Sequence, residues 1–348
     1  MLSPKSSTLG KQLSQYVCVR VVRMDDVDVG LFDRDWNNTL YFFMLNADEQ
    51  IYTRYGGRDS ASPDAYLDLG SLELALQQGV ELHRQYLSGG AKPVARPKAI
   101  FPREIPLLVQ RTFKQRQCVE CHLIGNFQNL QREQAGTLEK LTHLYRSPDI
   151  KTLGITLDVP KGLVVKEAGG AVQAAGMKPG DRITGWNGTV VWTFGDLQYV
   201  YDKVDRKATH IPVTVDRNGE SAVLEITLPA RWWWTDLRFR QSSVEPRTHF
   251  EDRALTDEEK RKFGLKPEGF ASQVKYVADL AKVMKTHDLR VGDIIVGVDG
   301  VESDEFADTA DLFIKLRKTP GDTAILDVLR DGKRTRMPLK TFRMNFRQ

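Results

Sequence analysis

The run Cys118-Val119-Glu120-Cys121-His122 is the one part of the chain whose residue types and spacing indicate a definite chemistry. Two thiols three positions apart, followed directly by an imidazole, form the spacing that attaches a c-type haem. The thiols would form thioether links to the haem vinyl groups, and the histidine would ligate the iron. The sequence therefore predicts covalent haem c on Cys118 and Cys121, with His122 as the metal ligand.

Other chemistries are open to the same three residues. Paired thiols at this spacing can have a lowered thiol pKa and cycle to a disulfide. Three donors could contribute to a metal site, although no second CxxC or HxxxH lies nearby to complete a zinc site. An inert local staple is the remaining alternative. For a sixth iron ligand, His143 is nearest in sequence and Met177 is an alternative, and the sequence does not choose between them.

Other residues that could do chemistry are scattered. Cys18 lies in the run 16–22, a predicted strand, where it is expected to pack as a small apolar side chain. No Gly-rich phosphate loop, HExxH or GxSxG motif occurs. The remaining histidines are expected to be surface or capping residues. The sequence therefore predicts no catalytic residue.

The composition predicts a globular chain of two or three domains. It has 348 residues, 41% of them hydrophobic and 28% charged, and its net charge is +4. Lys and Arg are spread without a basic block, which gives no case for nucleic-acid binding. The longest apolar stretches are too short to span a bilayer, so no transmembrane segment is predicted.

The start of the chain and the haem motif point to different compartments. Residues 1–15 lack the apolar core of a secretory signal. Covalent haem attachment, however, normally takes place outside the cytoplasm. We therefore expect a periplasmic or otherwise extracytoplasmic protein. Three alternatives explain the lack of a signal: it has been removed, the start lies too far downstream, or the haem interpretation is wrong.

The first 90 residues combine strands with one long helix. Residues 16–22 and 40–45 are apolar runs, a polar turn follows at 46–50, and residues 51–55 alternate like a returning hairpin strand. Apolar spacing predicts an amphipathic helix over 71–86, ended by Ser88-Gly89-Gly90.

This order resembles the second half of a thioredoxin-like domain, so residues 1–90 are assigned as an N-terminally incomplete domain of that kind. The redox CxxC helix and the proline before the hairpin are missing, and no thioredoxin activity is inferred. Residues 91–149 are predicted to be a linker segment that carries the CxxCH motif, extended and Pro-rich at first and then helix-compatible.

An internal repeat follows. The run Gly180-Asp181-Arg182-Ile183-Thr184-Gly185-Trp186-Asn187-Gly188 matches Gly292-Asp293-Ile294-Ile295-Val296-Gly297-Val298-Asp299-Gly300 at an offset of 112 residues. In each copy GD opens a strand, and NG or DG makes the tight turn that ends it. A helix is predicted after each turn, over 194–204 and 309–317, and a charged hairpin closes each copy.

The two copies resemble the PDZ domains of bacterial envelope proteases. The first is assigned to 150–231 and the second to 255–348, with a linker at 232–254. In the first copy, the resemblance implies that Leu153, Gly154, Ile155 and Thr156 bind a peptide, their backbone amides gripping its C-terminal carboxylate. The peptide would then add along the strand that follows.

The second copy departs from this pattern. Phe263-Gly264-Leu265 is the candidate carboxylate loop, and Pro267 after it would remove an amide donor from the pairing strand. Weaker or no ligand binding is expected there. For both copies, a scaffold that packs domains together is the alternative.

Two local features complete the sequence predictions. The triplet Trp232-Trp233-Trp234 is expected to bury in part against a neighbouring domain. The block 251–262 is predicted to be a solvated helix, capped by Thr256 with Glu259 three positions later.

Taken together, the domain order resembles a bacterial family that joins a thioredoxin-like domain to PDZ domains, with CxxCH between them. The predicted fold is α+β multidomain: a partial thioredoxin-like α/β domain followed by two PDZ-like β-rich domains. The leading hypothesis is an extracytoplasmic c-type haem protein in electron transfer or a redox assembly, whose PDZ-like domains bind protein partners or C-terminal peptides. The expected assembly is a homo-oligomer or a redox complex. The alternatives are a cofactor-free peptide-binding scaffold and a thiol–disulfide redox protein that uses Cys118 and Cys121.

Overall fold

The computed structural model describes residues 7–90, 94–115, 117, 119–237, 240 and 242–344. The chain divides into two compact units, Met1–Gln131 with Leu141–Arg240 and Arg132–Lys140 with Gln241–Gln348. Both contain helices and small antiparallel sheets, which agrees with the α+β class. No helix in the described ranges is both long enough and apolar enough to cross a membrane.

The N-terminal part of the first unit is a hairpin covered by one long helix. Its elements are α1 (Thr8–Leu13), β1 (Phe42–Leu45), β2 (Ile51–Tyr55) and α2 (Leu69–Leu87). The Asn46 side chain closes the hairpin turn by accepting hydrogen bonds from the amides of Asp48 and Gln50. The inner face of α2 packs on the hairpin through a buried cluster: Leu9, Met44, Tyr55, Leu72, Ala75 and Leu76. The predicted hairpin and helix are confirmed, while the thioredoxin-like assignment stays a prediction.

The strand predicted over residues 16–22 is wrong. This segment has no strand pairing, and its Val17 and Val19 side chains are 93% and 82% exposed. A β-branched run becomes a strand only when a neighbour pairs with its backbone, and β1 and β2 pair only with each other in the described residues. Cys18 is accordingly exposed instead of packed.

The segment that carries the motif folds into short helices. It contains α3 (Pro106–Arg111), α4 (Cys121–Gln134) and α5 (Lys140–His143), with single 3-10 turns at Pro102–Glu104 and Phe113–Gln115. Its apolar side chains join those of an earlier loop in one buried cluster: Met24, Val29, Trp36, Ile105, Leu108, Val119 and Ile124. The predicted helical turns are therefore present, and the buried cluster they contribute to lies in the first unit.

The first repeat lies in the first unit. Its elements are β3 (Ile155–Leu157), β4 (Val165–Ala168), α6 (Gly170–Ala174), β5 (Arg182–Trp186), β6 (Thr189–Val190), α7 (Phe194–Tyr201), β7 (His210–Arg217) and β8 (Glu220–Thr227). Strands β3 and β4 form one sheet, and the order of the other is β6-β5-β7-β8. Trp232 stacks on Tyr201, and Trp233 meets Tyr145 edge-on. Burial of part of the tryptophan triplet is confirmed, and the partners belong to the same unit.

The second unit contains the second repeat. Its elements are β9 (Phe250–Ala254), α8 (Asp257–Lys262), β10 (Ser272–Val277), α9 (Asp279–Met284), β11 (Ile294–Val298), α10 (Ala310–Arg317), β12 (Thr323–Arg330) and β13 (Lys333–Lys340). The sheet order is β13-β12-β11-β10-β9. The capping box of Thr256 and Glu259 is confirmed at the start of α8. Residues 250–254, before this cap, form β9. The sequence predicted a linker over 232–254 and a helix over 251–262, so both predictions are wrong where the strand lies.

The same ion pair organises both repeats. Asp181 of the GD motif is buried and takes two hydrogen bonds from Arg217, at 2.7 Å each. Asp293 takes the matching pair from Arg330, at 2.7 and 2.6 Å. The hairpin arginine thus ties the end of each repeat to its GD turn, with the two-pronged geometry that a guanidinium offers a carboxylate. The predicted turns are confirmed, since Asn187 and Asp299 both have positive φ.

Hydrogen bonding also identifies which strands correspond. The amide of Val165 donates to the carbonyl of Asp181, and that of Val274 donates to Asp293. Leu157 pairs with Val165 in β3–β4, while Asp252 pairs with Val274 in β9–β10. Strand β9 is therefore the counterpart of β3, and Asp252 occupies the position of Leu157.

The loops before these strands correspond as well. The carbonyl of Gly154 accepts from the Gly169 amide, and the carbonyl of His249 accepts from the Ala278 amide. Both residues have positive φ, 92° and 62°. The expectation that Phe263-Gly264-Leu265 is the carboxylate loop is therefore wrong. Those residues follow α8, a helix inserted between β9 and β10 in the second repeat, and Pro267 lies outside any strand.

Candidate functional site

A cleft of about 440 Å³ opens in the first unit, between α2 and the first repeat. This volume lies in the range of ligand pockets, which are mostly lined by apolar side chains. The repeat supplies an apolar floor of Leu157, Leu163, Ile183, Val191 and Phe194. The opposite wall comes from the N-terminal part: Tyr55, Tyr66, Leu74, Ala75 and Gln78. Three charged residues, Glu81, Lys161 and Arg182, also line the cleft.

Strand β3 borders this cleft and has a free edge. It pairs with β4 on one side, and no described strand pairs with its other side. An edge strand presents backbone donors and acceptors to which an extended peptide can add, while pockets for alternate side chains give specificity. The cleft receives Leu157 from this strand, so one peptide could pair with β3 and place a side chain in the cleft.

The loop before β3 is a fixed turn. Residues Ile150–Leu153 form a 3-10 turn capped by Asp149, and Gly154 ends it with φ 92°. A Cβ on Gly154 would lie 2.2 Å from the carbonyl oxygen of Gly169, so only glycine fits. The amides of Lys151, Thr152 and Gly154 already have acceptors within the turn.

The predicted peptide-binding residues therefore contribute mainly backbone. Leu153 and Ile155 are buried in the core of the repeat, and Thr156 is half-buried. Gly154 shapes the loop. Whether the four residues bind a peptide stays a prediction.

A segment from the N-terminal part lies against the same loop. The Asp59 carboxylate forms an ion pair with Lys151 Nζ at 2.5 Å, and the Ser60 amide donates to the Asp149 carboxylate. Burial raises the pKa of Asp59, but hydrogen bonds from Lys151 and from the amides of Ser62 and Ala61 outweigh it and hold that pKa below its usual value. Asp59 is thus a carboxylate at the loop that, in the PDZ resemblance, receives a carboxylate.

The first turn of α7 is held by the hairpin. Asp196 accepts hydrogen bonds from the Thr53 hydroxyl at 2.5 Å and the Arg54 amide at 2.9 Å. The Arg54 guanidinium lies 3.8 Å from the ring centroid of Tyr199. Burial raises the pKa of Asp196, and these hydrogen bonds oppose the rise. Helix α7 and the hairpin therefore form one continuous wall next to the cleft.

The second repeat differs from the first at the position of Leu157, the residue of β3 that lines the cleft. Asp252, the counterpart of Leu157, accepts from the Ser272 hydroxyl at 2.6 Å and from the Ala310 amide at 2.9 Å. These bonds fasten β9 to the first turn of α10. Burial, together with the charge of Asp311, raises the pKa of Asp252 to about 7. The apolar floor of the first repeat is thus replaced by a bonded carboxyl in the second.

The CxxCH motif lies at the start of α4. Cys118 is outside the described residues. Cys121 is the first residue of α4, is half-buried against the apolar cluster that contains Trp36, and its Sγ accepts a hydrogen bond from Arg34 at 3.2 Å. His122 Nε2 lies 2.6 Å from a carboxylate oxygen of Glu120.

These residues fit a haem in part. Cys121 and His122 are adjacent on one helical turn, beside apolar side chains that could contact a macrocycle. The His143 carbonyl is bonded to Asn129, about 10 Å along α4 from His122. Met177 is buried in the first repeat. Within the described part of the chain, no group of three His, Cys, Asp or Glu residues could hold a metal ion.

Several residues of the cleft region escaped the sequence analysis. Asp59 and Tyr66 lie in a polar segment without periodicity, and Phe194 was noted only as a helix start. Asp59 contacts Lys151, 92 positions later in the sequence, and Tyr66 contacts Phe194, 128 positions later. The local sequence pattern does not reveal contacts between such distant residues. The GD and NG signals located the repeat but carried no information on what covers it.

Comparisons with known proteins give partial likenesses. No family model matches the chain, and no curated protein matches it. Among solved structures, it is similar to a variant of the HtrA-type protease AlgW with a decapeptide (16% identity, TM-score 0.26, 39% of this chain and 42% of that chain). It is also similar to AlgW with a tripeptide (23%, 0.25, 30% and 34%) and with a decapeptide (14%, 0.24, 42% and 53%). The chain spans about half or less of the length of these structures.

Proposed function

We propose that this chain is a peptide-binding protein whose first repeat is a PDZ-like module. An extended peptide adds to the free edge of β3 and places an apolar side chain in the adjoining cleft. The observation that carries the proposal is the coincidence of an edge strand with an apolar cleft of about 440 Å³. Backbone pairing supplies affinity without sequence preference, and the cleft supplies selectivity.

The two repeats differ in this role. In the first, the Leu157 position leaves an apolar floor, whereas in the second Asp252 ties β9 to α10. A peptide at β9 would have to compete with those hydrogen bonds, and their loss would leave a buried carboxyl without partners. The second repeat is therefore proposed to be structural.

Two matched substitutions on α2 test the proposal. Leu74 lines the cleft and Leu69 does not; they are 43% and 66% exposed, and neither belongs to the buried cluster under α2, so neither change to Asp disturbs that core. Decapeptides are selected from a random phage library on the wild-type chain and measured by fluorescence anisotropy. We expect Leu74→Asp to weaken binding at least 10-fold and Leu69→Asp to leave it within 2-fold. Failure to enrich any peptide, or equal effects of the two variants, would overturn the proposal.

A second proposal concerns Cys118, Cys121 and His122. We propose covalent haem c at these residues, in an extracytoplasmic setting. The observation in its favour is the position of Cys121 in the first turn of α4, half-buried beside apolar side chains. Bound there, haem would supply one-electron chemistry. The residues of the chain would tether it and ligate the iron through His122.

Intact mass of protein from a host that matures cytochromes c tests this second proposal. Haem adds its own mass, a disulfide subtracts two hydrogens, and free thiols change nothing. A haem-sized increase that is lost in Cys121→Ser, together with a pyridine haemochrome spectrum, is the expected result. A two-hydrogen loss would instead favour the thiol–disulfide alternative, and an unmodified mass would remove both.

A further inference from the structure

We propose that the chain's own residues 57–66, named here the strap, occupy the carboxylate end of the first repeat's groove, so that the cleft takes internal peptide segments and gains no affinity from a free C-terminus. This inference rests on the proposed function and deepens it. In the described structure, the strap approaches both the loop before β3 and the first turn of α7. The Asp59 carboxylate of the strap lies at the loop, and its Tyr66 ring lies at α7.

At the loop, Asp59 takes the place of a ligand's carboxylate. Its side chain is 6% exposed and forms an ion pair with Lys151 at 2.5 Å. The same carboxylate accepts hydrogen bonds from the amides of Ala61 and Ser62 at 2.8 and 2.7 Å, which hold it in position. An incoming carboxylate would meet a cation that is already paired, and a negative charge beside it.

At α7, two strap residues enclose one aromatic ring. Tyr66 stacks on Phe194 with ring centroids 3.4 Å apart and an angle of 11° between the planes. Gly57 packs closely against the same ring, since a Cβ there would be 2.3 Å from Phe194 Cδ1. Tyr66 is buried, and burial raises the pKa of its hydroxyl, with the charges of Asp149 and Asp59 adding to the rise. A peptide residue at this point would have to displace Tyr66.

The opposite end of α7 is closed by other residues of the same unit. Tyr201 is fully buried and stacks on Trp232, with centroids 5.2 Å apart. The Thr152 hydroxyl lies 3.3 Å from the Trp232 carbonyl, which links the loop to this aromatic pair. The loop is thus fastened to the body of the first unit at a point outside the strap.

What stays open is the cleft beyond Tyr66 and Phe194, bordered by Leu157, Leu163 and α2. A ligand that enters there needs no chain end. The class of ligand is therefore an extended internal segment with an apolar side chain, and a free carboxylate adds nothing to its affinity while the strap is in place. Displacement of the strap would convert the groove to one that prefers free C-termini.

Pairs of selected decapeptides, identical except for a C-terminal carboxylate or amide, test the inference. For the wild-type chain we expect dissociation constants within 2-fold of each other. Asp59→Asn keeps the shape and the turn hydrogen bonds but releases Lys151, so the carboxylate form should bind at least 5-fold more tightly than the amide. Asp64→Asn, an exposed carboxyl in the same strap, should behave like wild type.

The double variant Asp59→Asn/Lys151→Met should return the two forms to equal affinity, which assigns the gain to the released lysine. Circular dichroism establishes that each variant is folded. The inference is overturned if the wild-type chain already favours the carboxylate form 5-fold or more, or if folded Asp59→Asn treats both forms alike. If peptides bind and Leu74→Asp weakens them, the proposed function survives either outcome; if no peptide binds any variant, the proposed function itself fails.

Discussion

The buried carboxyl of Asp252 makes the second unit less stable as pH rises. Its pKa is raised from 3.8 to about 7 by burial and by the charge of Asp311. Between these values the folded state holds a proton that the unfolded chain has released, so the free energy of unfolding falls with increasing pH. Stability from this group is complete below about pH 4 and is lost as pH passes through 7.

The size of the effect follows from linkage. Each pH unit between the two pKa values removes about 1.4 kcal/mol, so the interval from pH 5 to 7 removes at most about 3 kcal/mol. Asp252→Asn keeps an acceptor for the Ala310 amide and the Ser272 hydroxyl but cannot ionise. We therefore expect the difference in stability between variant and wild type to grow by roughly 2–3 kcal/mol over that interval, in favour of the variant.

Hydrogen exchange followed by mass spectrometry measures this difference. Peptides covering 250–254 and 310–317 report the opening free energy of β9 and α10, after correction for intrinsic exchange. All six tryptophans lie in the first unit, so tryptophan fluorescence follows that unit separately. The wild type also contains His249 and His287, whose pKa values are lowered by burial and whose effect has the opposite sign. These contributions cancel in the comparison of variant with wild type.

Glu251→Gln is the matched control, because Glu251 is an exposed carboxyl on the same strand. Its exchange profile should follow that of the wild type. Parallel profiles for Asp252→Asn and wild type from pH 5 to 8 would refute the argument that burial suppresses ionisation of this carboxyl.

Three further predictions concern the loop, the repeated ion pair and the inserted helix. Gly154→Ala should destabilise the first unit well beyond the ~1 kcal/mol expected for Gly188→Ala, because both have positive φ but only the Cβ at Gly154 would meet a backbone oxygen; urea unfolding by tryptophan fluorescence compares them, and equal losses would contradict the steric argument. Arg217→Ala should lower the thermal midpoint of the first unit only and Arg330→Ala that of the second only, since each leaves its buried GD aspartate without a guanidinium. Calorimetry that shows both variants affecting the same transition would count against this. Thr256→Ala should weaken the capping box of α8 by about 1 kcal/mol, measured by hydrogen exchange at 257–262, and no change in protection there would exclude the cap as a stabilising contact.

The sequence signals that proved reliable are short-range. The polar turn at 46–50, the Ser88-Gly89-Gly90 stop and the Asn187-Gly188 and Asp299-Gly300 turns are confirmed, since each is decided by the conformational freedom of one or two residues. Helix α7 was predicted to run to Val204 and ends at Tyr201. Ends are harder to predict because tertiary contacts compete with the last helical hydrogen bonds.

The predictions that failed needed a partner. Residues 16–22 have strand propensity but no neighbouring strand, so their valines stay exposed. The candidate loop at 263–265 was chosen for its similarity to the loop of the first repeat. The structure places the counterpart of Gly154 at His249, before β9, because α8 is inserted between β9 and β10. Similarity between two short sequence motifs does not show which strand a segment pairs with.

By itself, the sequence determined the turns, caps and amphipathic faces of this protein, and with them the existence of two related repeats. These depend on φ preferences, side-chain hydrogen bonds and periodicity within a few residues. Only the tertiary structure decided that Asp59 meets Lys151 and that Tyr66 lies on Phe194. Such contacts arise because burial of apolar surface brings distant segments together. This driving force has no direction, so the sequence of one segment does not determine which other segment packs against it.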